Sequence, residues 1–155
     1  MGHLAGKNIA VTGAGNGIGR AIALACADEG ANVVVADYGV SMEGNDPSSS
    51  VADAVVAEIE MAGGTAVAVA GDVSEMEVGQ RIVDTAVDAW GTIDGVVCVA
   101  GIVRERMLFN MTEEEFDHVV GVHLKGHFTL FKAASAVMRK QKNGGSLVGF
   151  TSGAF

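Results

Sequence analysis

The residues best placed to do chemistry are the glycines of Thr12-Gly13-Ala14-Gly15-Asn16-Gly17-Ile18-Gly19, which sit between a short apolar run and a stretch with apolar residues at helical spacing. In that position glycine lets the backbone turn tightly and come close to a pyrophosphate, whose charge the free N–H groups of the helix start can hold. Glycine is also the default of any tight loop, so a second mark matters. Asp37 closes the next apolar run, where a carboxylate can accept both hydroxyls of an adenosine ribose. An aspartate there can instead start a turn; the glycine turn upstream favours the ribose. The general dinucleotide pattern G-x-G-x-x-G fails in both frames, because Ile18 or Arg20 stands where the third glycine belongs. The spacing present is Thr-Gly-x-x-x-Gly-x-Gly.

Other reactive side chains give weaker leads. His123 and His127 lie four apart, as helical zinc ligands would, but no third ligand accompanies them and no metal is expected. Cys26 and Cys98 stand inside apolar patterns without Cys-x-x-Cys spacing, which points to buried, reduced thiols. A net charge of −9 disfavours nucleic acid and anionic lipid as partners. The apolar runs fall far short of the roughly 20 residues that span a bilayer, and the start carries no apolar signal core, so a cytoplasmic protein is expected.

The elements that must position these residues alternate. Lys7 to Thr12, Asn32 to Asp37, Thr65 to Ala70, Ile93 to Ala100 and Ser146 to Thr151 read as strands, apolar throughout rather than at every other residue. Helical patterns lie between them: from the glycine turn to Gly30, from Ser49 to Ala62 ending at Gly63-Gly64, and from a Ser74/Glu77 capping box to Trp90. A second capping box, Thr112 with Glu115, opens a long helix carrying Phe116, Val119, Val120, Leu124, Phe128 and Phe131 and stopping near Asn143-Gly144-Gly145. The polar segment from Tyr38 to Ser50, with the only proline, Pro47, is long for a strand-to-helix connection. Such alternation predicts one doubly wound α/β domain over 1–155, a five-stranded parallel sheet covered on both faces.

The glycine spacing resembles that of the short-chain dehydrogenase/reductase family, and further marks fall in the family's order along the chain. Asp72-Val73 is similar to its adenine-contacting Asp-Val, Val99-Ala100-Gly101 to its Asn-Ala-Gly, Val122-His123-Leu124-Lys125-Gly126 to its Val-Asn-Leu-x-Gly, and Ser152 to its catalytic serine. The resemblance implies a Rossmann fold and a cofactor site built from Gly13, Gly15, Asn16, Gly17, Ile18, Gly19, Asp37, Asp72, Val73, Ala100 and Gly101. It implies catalytic roles for Ser152, which would bond the substrate oxygen, and for His123, at the position of a relay asparagine. NAD is the expected cofactor, since no arginine or lysine adjoins Asp37. Gly101 to Met107, Val122 to Phe128 and the long segment after Asp37 are similar to the 3-hydroxyacyl-CoA dehydrogenase domains of multifunctional enzymes, which implies a secondary alcohol or ketone, hydroxyacyl substrates among them. A homo-oligomer through the helix at 112–142, in a full-length form, is implied too. The family's Tyr-x-x-x-Lys has no counterpart in residues 1–155, where Tyr38 is the only tyrosine. The segment is therefore expected to be truncated after the fifth strand and inactive alone. A non-catalytic dinucleotide-binding module is the competing reading, and a methyltransferase the third.

Overall fold

The structure, a computed structural model, describes residues 2–39 and 48–152. Most of the long segment after Asp37, with Pro47, lies outside the described residues. The strands are β1 (Asn8–Thr12), β2 (Asn32–Asp37), β3 (Thr65–Ala70), β4 (Gly95–Cys98) and β5 (Ser146–Gly149). They form one parallel sheet in the order β3-β2-β1-β4-β5, with Asn8 beside Asn32 and Ile9 beside Gly95. The helices are α1 (Gly17–Asp28), α2 (Ser50–Met61), α3 (Met76–Trp90), α4 (Glu113–Val120) and α5 (Gly126–Met138), with a π-helical segment, Gly121–Lys125, joining the last two. No helix of the described residues is long and apolar enough to cross a membrane.

Alternation along the central strands splits the core into two layers. Ile9, Val11, Val33 and Val35 face α1 and α2, where Ala23, Ala52, Val55 and Ile59 are buried. Ala10, Val34, Ala36 and Val96 face α3 and α5, where Ile82, Val83, Ala86, Leu130 and Ala134 are buried. Each fully buried Val, Ile or Leu contributes about 1.5–3 kcal/mol, enough to fix the register of both layers. Small residues set the spacing of α3 and α5: a Cβ on Gly79 would lie 2.9 Å from the Thr129 carbonyl carbon.

Several sequence expectations need correction. β4 and β5 are shorter than the apolar runs that predict them, ending at Cys98 and Gly149. Cover on both faces holds for β1 and β2 but not for β5, all of whose residues are exposed. The Ser74/Glu77 capping box does not form. Asp72 Oδ1 takes the Ser74 amide at 2.8 Å, and α3 starts at Met76 with Glu75 at its N-cap and no side-chain cap. The Thr112/Glu115 box does form, but the helix it opens is interrupted by the π segment, and Phe116, Leu124 and Phe128 point outward rather than into the core.

Candidate functional site

The turn after β1 is held by its own chain. Ala14 N donates to Ala36 O at 3.1 Å, Gly15 N donates to Asp37 Oδ2 at 2.8 Å, and Gly39 N donates to Asp37 Oδ1 at 2.6 Å. Asp37 thus ties the glycine turn to the end of β2, and each carboxylate oxygen keeps a second lone pair. Gly13, at φ +65°, could not carry a side chain, since its Cβ would lie 2.8 Å from the Ala100 backbone. Gly15 and Gly19 are equally closed, by Val51 with Asp37 and by the Gly13 carbonyl. Gly17 differs: its φ is +52° but nothing lies within 4 Å of its Cβ position, so its surroundings are open.

At Gly17 the helix begins without a cap. The Asn16 side chain makes no capping bond, no acidic residue occupies the first turn, and among the described residues the amides of Gly17, Ile18 and Gly19 meet no acceptor. Unpaired amides at the positive end of a helix dipole favour an anion. Arg20, in the first turn of α1, is paired with Glu58 of α2.

The far wall is built from the ends of β3 and β4. Thr129 Oγ1 of α5 donates to Val73 O at 2.6 Å, and a Cβ on Gly126 would lie 2.8 Å from Val73 Cγ2, so α5 grips the Asp72-Val73 turn. Thr12 Oγ1 accepts from Val99 N at 3.2 Å and Ala100 N at 3.3 Å, bracing the end of β4. His123 braces the next step: its Nε2 lies 2.8 Å from Ile102 O and 3.2 Å from Ile102 N. The ring fills the space a Gly101 side chain would need, with Cε1 2.6 Å from the Cβ position. The π segment carries His123, and its wider turn, common at functional sites, is where the long helix departs from α geometry. Val73, Ile102 and Val122 bury one another in a small apolar cluster beneath the wall. Cys98, at the end of β4, is sealed; burial pushes its thiol up to about 12, which keeps it protonated and unreactive. Burial raises Cys26 as well.

Together these walls enclose a cavity of about 580 Å³, lined by every expected cofactor residue except Gly15, whose amide is spent on Asp37. Neither His123 nor Ser152 lines it. Ser152 is exposed beyond β5, and Gly153 after it lies outside the described residues. His127, the other histidine of the pair at zinc spacing, packs edge-on against Phe131. Among the described residues no group of three or more metal-ligating side chains is assembled. Sequence reasoning missed two contributors: Thr12, which braces the end of β4, and His118, which lines the cavity. Only Thr12 had a legible signal, a hydroxyl closing an apolar strand directly before the glycine turn.

Three comparisons bear on this geometry. A family model described as short chain dehydrogenase matches residues 7–154. The chain is 46% identical over 139 residues to a peroxisomal multifunctional enzyme type 2 of Mus musculus, covering 90% of this chain and 18% of that protein. It is 46% identical over 149 residues to the hydroxyacyl-CoA dehydrogenase ChsB1 of Mycobacterium tuberculosis, covering 94% of this chain and 45% of that protein. A crystal structure of a short chain dehydrogenase from Mycobacterium avium superposes with a TM-score of 0.83 at 49% identity, covering 95% of this chain and 51% of that one. The chain therefore spans about half, or less, of the relatives it matches.

Proposed function

The chain belongs to the short-chain dehydrogenase family, and from that premise we propose that it forms the NAD-binding part of an oxidoreductase acting on a secondary alcohol or ketone, with a hydroxyacyl thioester as the substrate class. The observation that carries the reading is the open start of α1 beside Asp37: unpaired amides where a pyrophosphate would lie, and a carboxylate where a ribose would lie, on one cavity. ChsB1, to which the chain is 46% identical, is a hydroxyacyl-CoA dehydrogenase, and that likeness supports a hydroxyacyl thioester as the substrate class.

The residues fit a nicotinamide dinucleotide. Gly17, Ile18 and Gly19 offer amides to the pyrophosphate, Asp37 keeps lone pairs for the ribose hydroxyls, and Ala100 and Gly101 present backbone along the cavity. Bound there, the cofactor supplies the redox step, and the chain supplies orientation and electrostatics. A 2′-phosphate would face Asp37 with Arg20 already committed to Glu58, which favours NAD over NADP. By the family resemblance Ser152 takes the substrate oxygen and His123 the proton relay; the His123 Nδ1 has no partner among the described residues. Tyr38, the only tyrosine, stands at the cofactor end of the cavity. Residues 1–155 are therefore expected to bind NAD without turning over a ketone, because a serine hydroxyl alone is a poor proton donor to a developing alkoxide.

The test is a fluorescence titration of the chain with NADH and NADPH. NADH should saturate and NADPH should bind more weakly, by a few kcal/mol at most because the contact is partly solvent-screened. Asp37→Ala should narrow the difference. Absence of saturable NADH binding sinks the reading, and equal affinities remove the role of Asp37.

A further inference from the structure

The segment between β4 and α4 is fastened at three points. The first is Ile102, buried with Val73 and Val122 and held by His123 Nε2. The last is Arg106, whose Nε and Nη2 both donate to Glu115 Oε1, at 3.0 and 2.6 Å. The Thr112 amide and the Arg106 guanidinium hold the Glu115 carboxyl below its ordinary 4.5, so this anchor stays charged through the neutral range. Between the two lies Arg104, whose Nη2 is 3.3 Å from His118 Nδ1 on α4. Among the described residues Val103 to Glu105 make no other hydrogen bond to α4, and their amides find no acceptor. A guanidinium has only donors, so Nδ1 must accept, and the ring proton then sits on Nε2. An imidazolium donates from both nitrogens and has nothing left to accept with. The central anchor therefore depends on the charge of the ring, and an imidazole changes charge between about pH 5 and 8.

We propose that Arg104 and His118 form a pH-sensitive latch: a neutral ring holds Val103 to Glu105 against α4, and a protonated ring lets that span go between its two fixed ends. The latch stands independently of the cofactor reading. Arg104 is the cation that touches the ring. On α4 itself Glu114, Glu115 and Asp117 lie within about one turn before His118, while Val122, one turn after it, is apolar. The cavity that His118 lines also carries Asp37 and Asp72. These carboxylates attract a charged ring, and Arg104, at contact distance, repels it. Falling pH thus trades the Arg104 contact for attraction to the carboxylates. The backbone change is local, but the cavity feels it. Ile102, where the span begins, and His118 both line the cavity, and His118 is the only one of the described lining side chains that can carry a positive charge. Release therefore loosens the rim beside Ile102 and adds a cation to a wall whose other charged groups are acidic.

The test is NMR relaxation of the 15N-labelled chain between about pH 7.5 and about pH 5.5, the range over which an imidazole changes charge. At the upper end the His118 ring should carry its proton on Nε2, read from the ring nitrogen shifts. The Val103 to Glu105 amides should there have order parameters near the rigid value of about 0.85. As pH falls these should drop below about 0.6 with the midpoint of the His118 ring, while those of β1 and β4 hold. His118→Gln, whose Oε1 accepts from Arg104 without titrating, should keep the span ordered throughout. Arg104→Leu should leave it mobile throughout, and serves by itself if His118→Gln fails to fold, as judged by circular dichroism. A ring proton on Nδ1 at the upper pH overturns the latch, as does a span whose order does not follow the ring. So does a His118→Gln chain that loosens as the wild type does, or an Arg104→Leu chain that still responds to pH. Loss of order in β1 and β4 over the same range also overturns it, since the change is then unfolding rather than release.

Discussion

Gly101 and His123 occupy one space, and that makes them the sharpest test of the site at the scale of single residues. With Cε1 of the imidazole 2.6 Å from where a Cβ would stand, Gly101→Ala forces the ring off Ile102 or shifts the backbone after β4. The expected cost is about 1–3 kcal/mol, as for overpacking generally. His123→Ala should cost about 1 kcal/mol through its lost hydrogen bond. The double variant should lose less than the sum, because removing the ring makes room for the new methyl group. Urea denaturation of the four chains measures this, and strict additivity would show that the two residues do not meet. At this scale the sequence names candidate residues by type and placement, as with Asp37. It could not say that Asp37 is bonded to Gly15 and Gly39, nor that His123 is spent on Ile102, since those partners are chosen by the fold.

Two capping boxes with the same pattern came out differently, and the element scale explains why. Thr112 and Glu115 exchange both bonds, Glu115 N to Thr112 Oγ1 at 3.2 Å and Thr112 N to Glu115 Oε2 at 2.9 Å. Ser74 and Glu77 do not, because Asp72 competes for the Ser74 amide. Thr112→Ala should therefore destabilise the chain by about 1 kcal/mol, read from its thermal melt, whereas Ser74→Ala should change little. The Thr112 amide, with the Arg106 guanidinium beside it, holds the Glu115 carboxyl below its ordinary 4.5. A depressed folded-state value stabilises above the ordinary one and is lost as pH falls through the folded one, so the effect lies in the acid range below 4.5. An NMR titration should show the Glu115 midpoint below that value and Arg106→Gln raising it; an unshifted midpoint would mean that the box is open in solution. The π segment had no sequence signal, because one extra residue in a helical turn leaves apolar spacing almost unchanged while it re-aims His123.

For the whole molecule the open question is the apolar surface left by a one-sided sheet edge and an outward helix face. Leu147 and Val148 of β5 are 42% and 43% exposed, and Leu124 and Phe128 on the helix side are 70% and 57% exposed. Patches of this kind mark association surfaces, and we propose that the chain self-associates through the helix face. Sedimentation velocity should detect the association, and Phe128→Glu should weaken it at least about tenfold, the cost of leaving a charge in an apolar contact. A concentration-independent monomer, or no response to Phe128→Glu, counts against that surface. The element order, the glycine turn and the Thr112 cap could all be read from the sequence because each is set by residues close together along the chain: apolar runs make strands, helical spacing makes helices, and a positive φ demands glycine. What tertiary structure alone decided are contacts between distant residues, such as Thr12 with Ala100 at a separation of 88 positions, His123 with Ile102, and Arg104 with His118. The physical reason is that a hydrogen bond is satisfied by whichever partner the packed core brings within about 3 Å, and no local pattern records which one that will be.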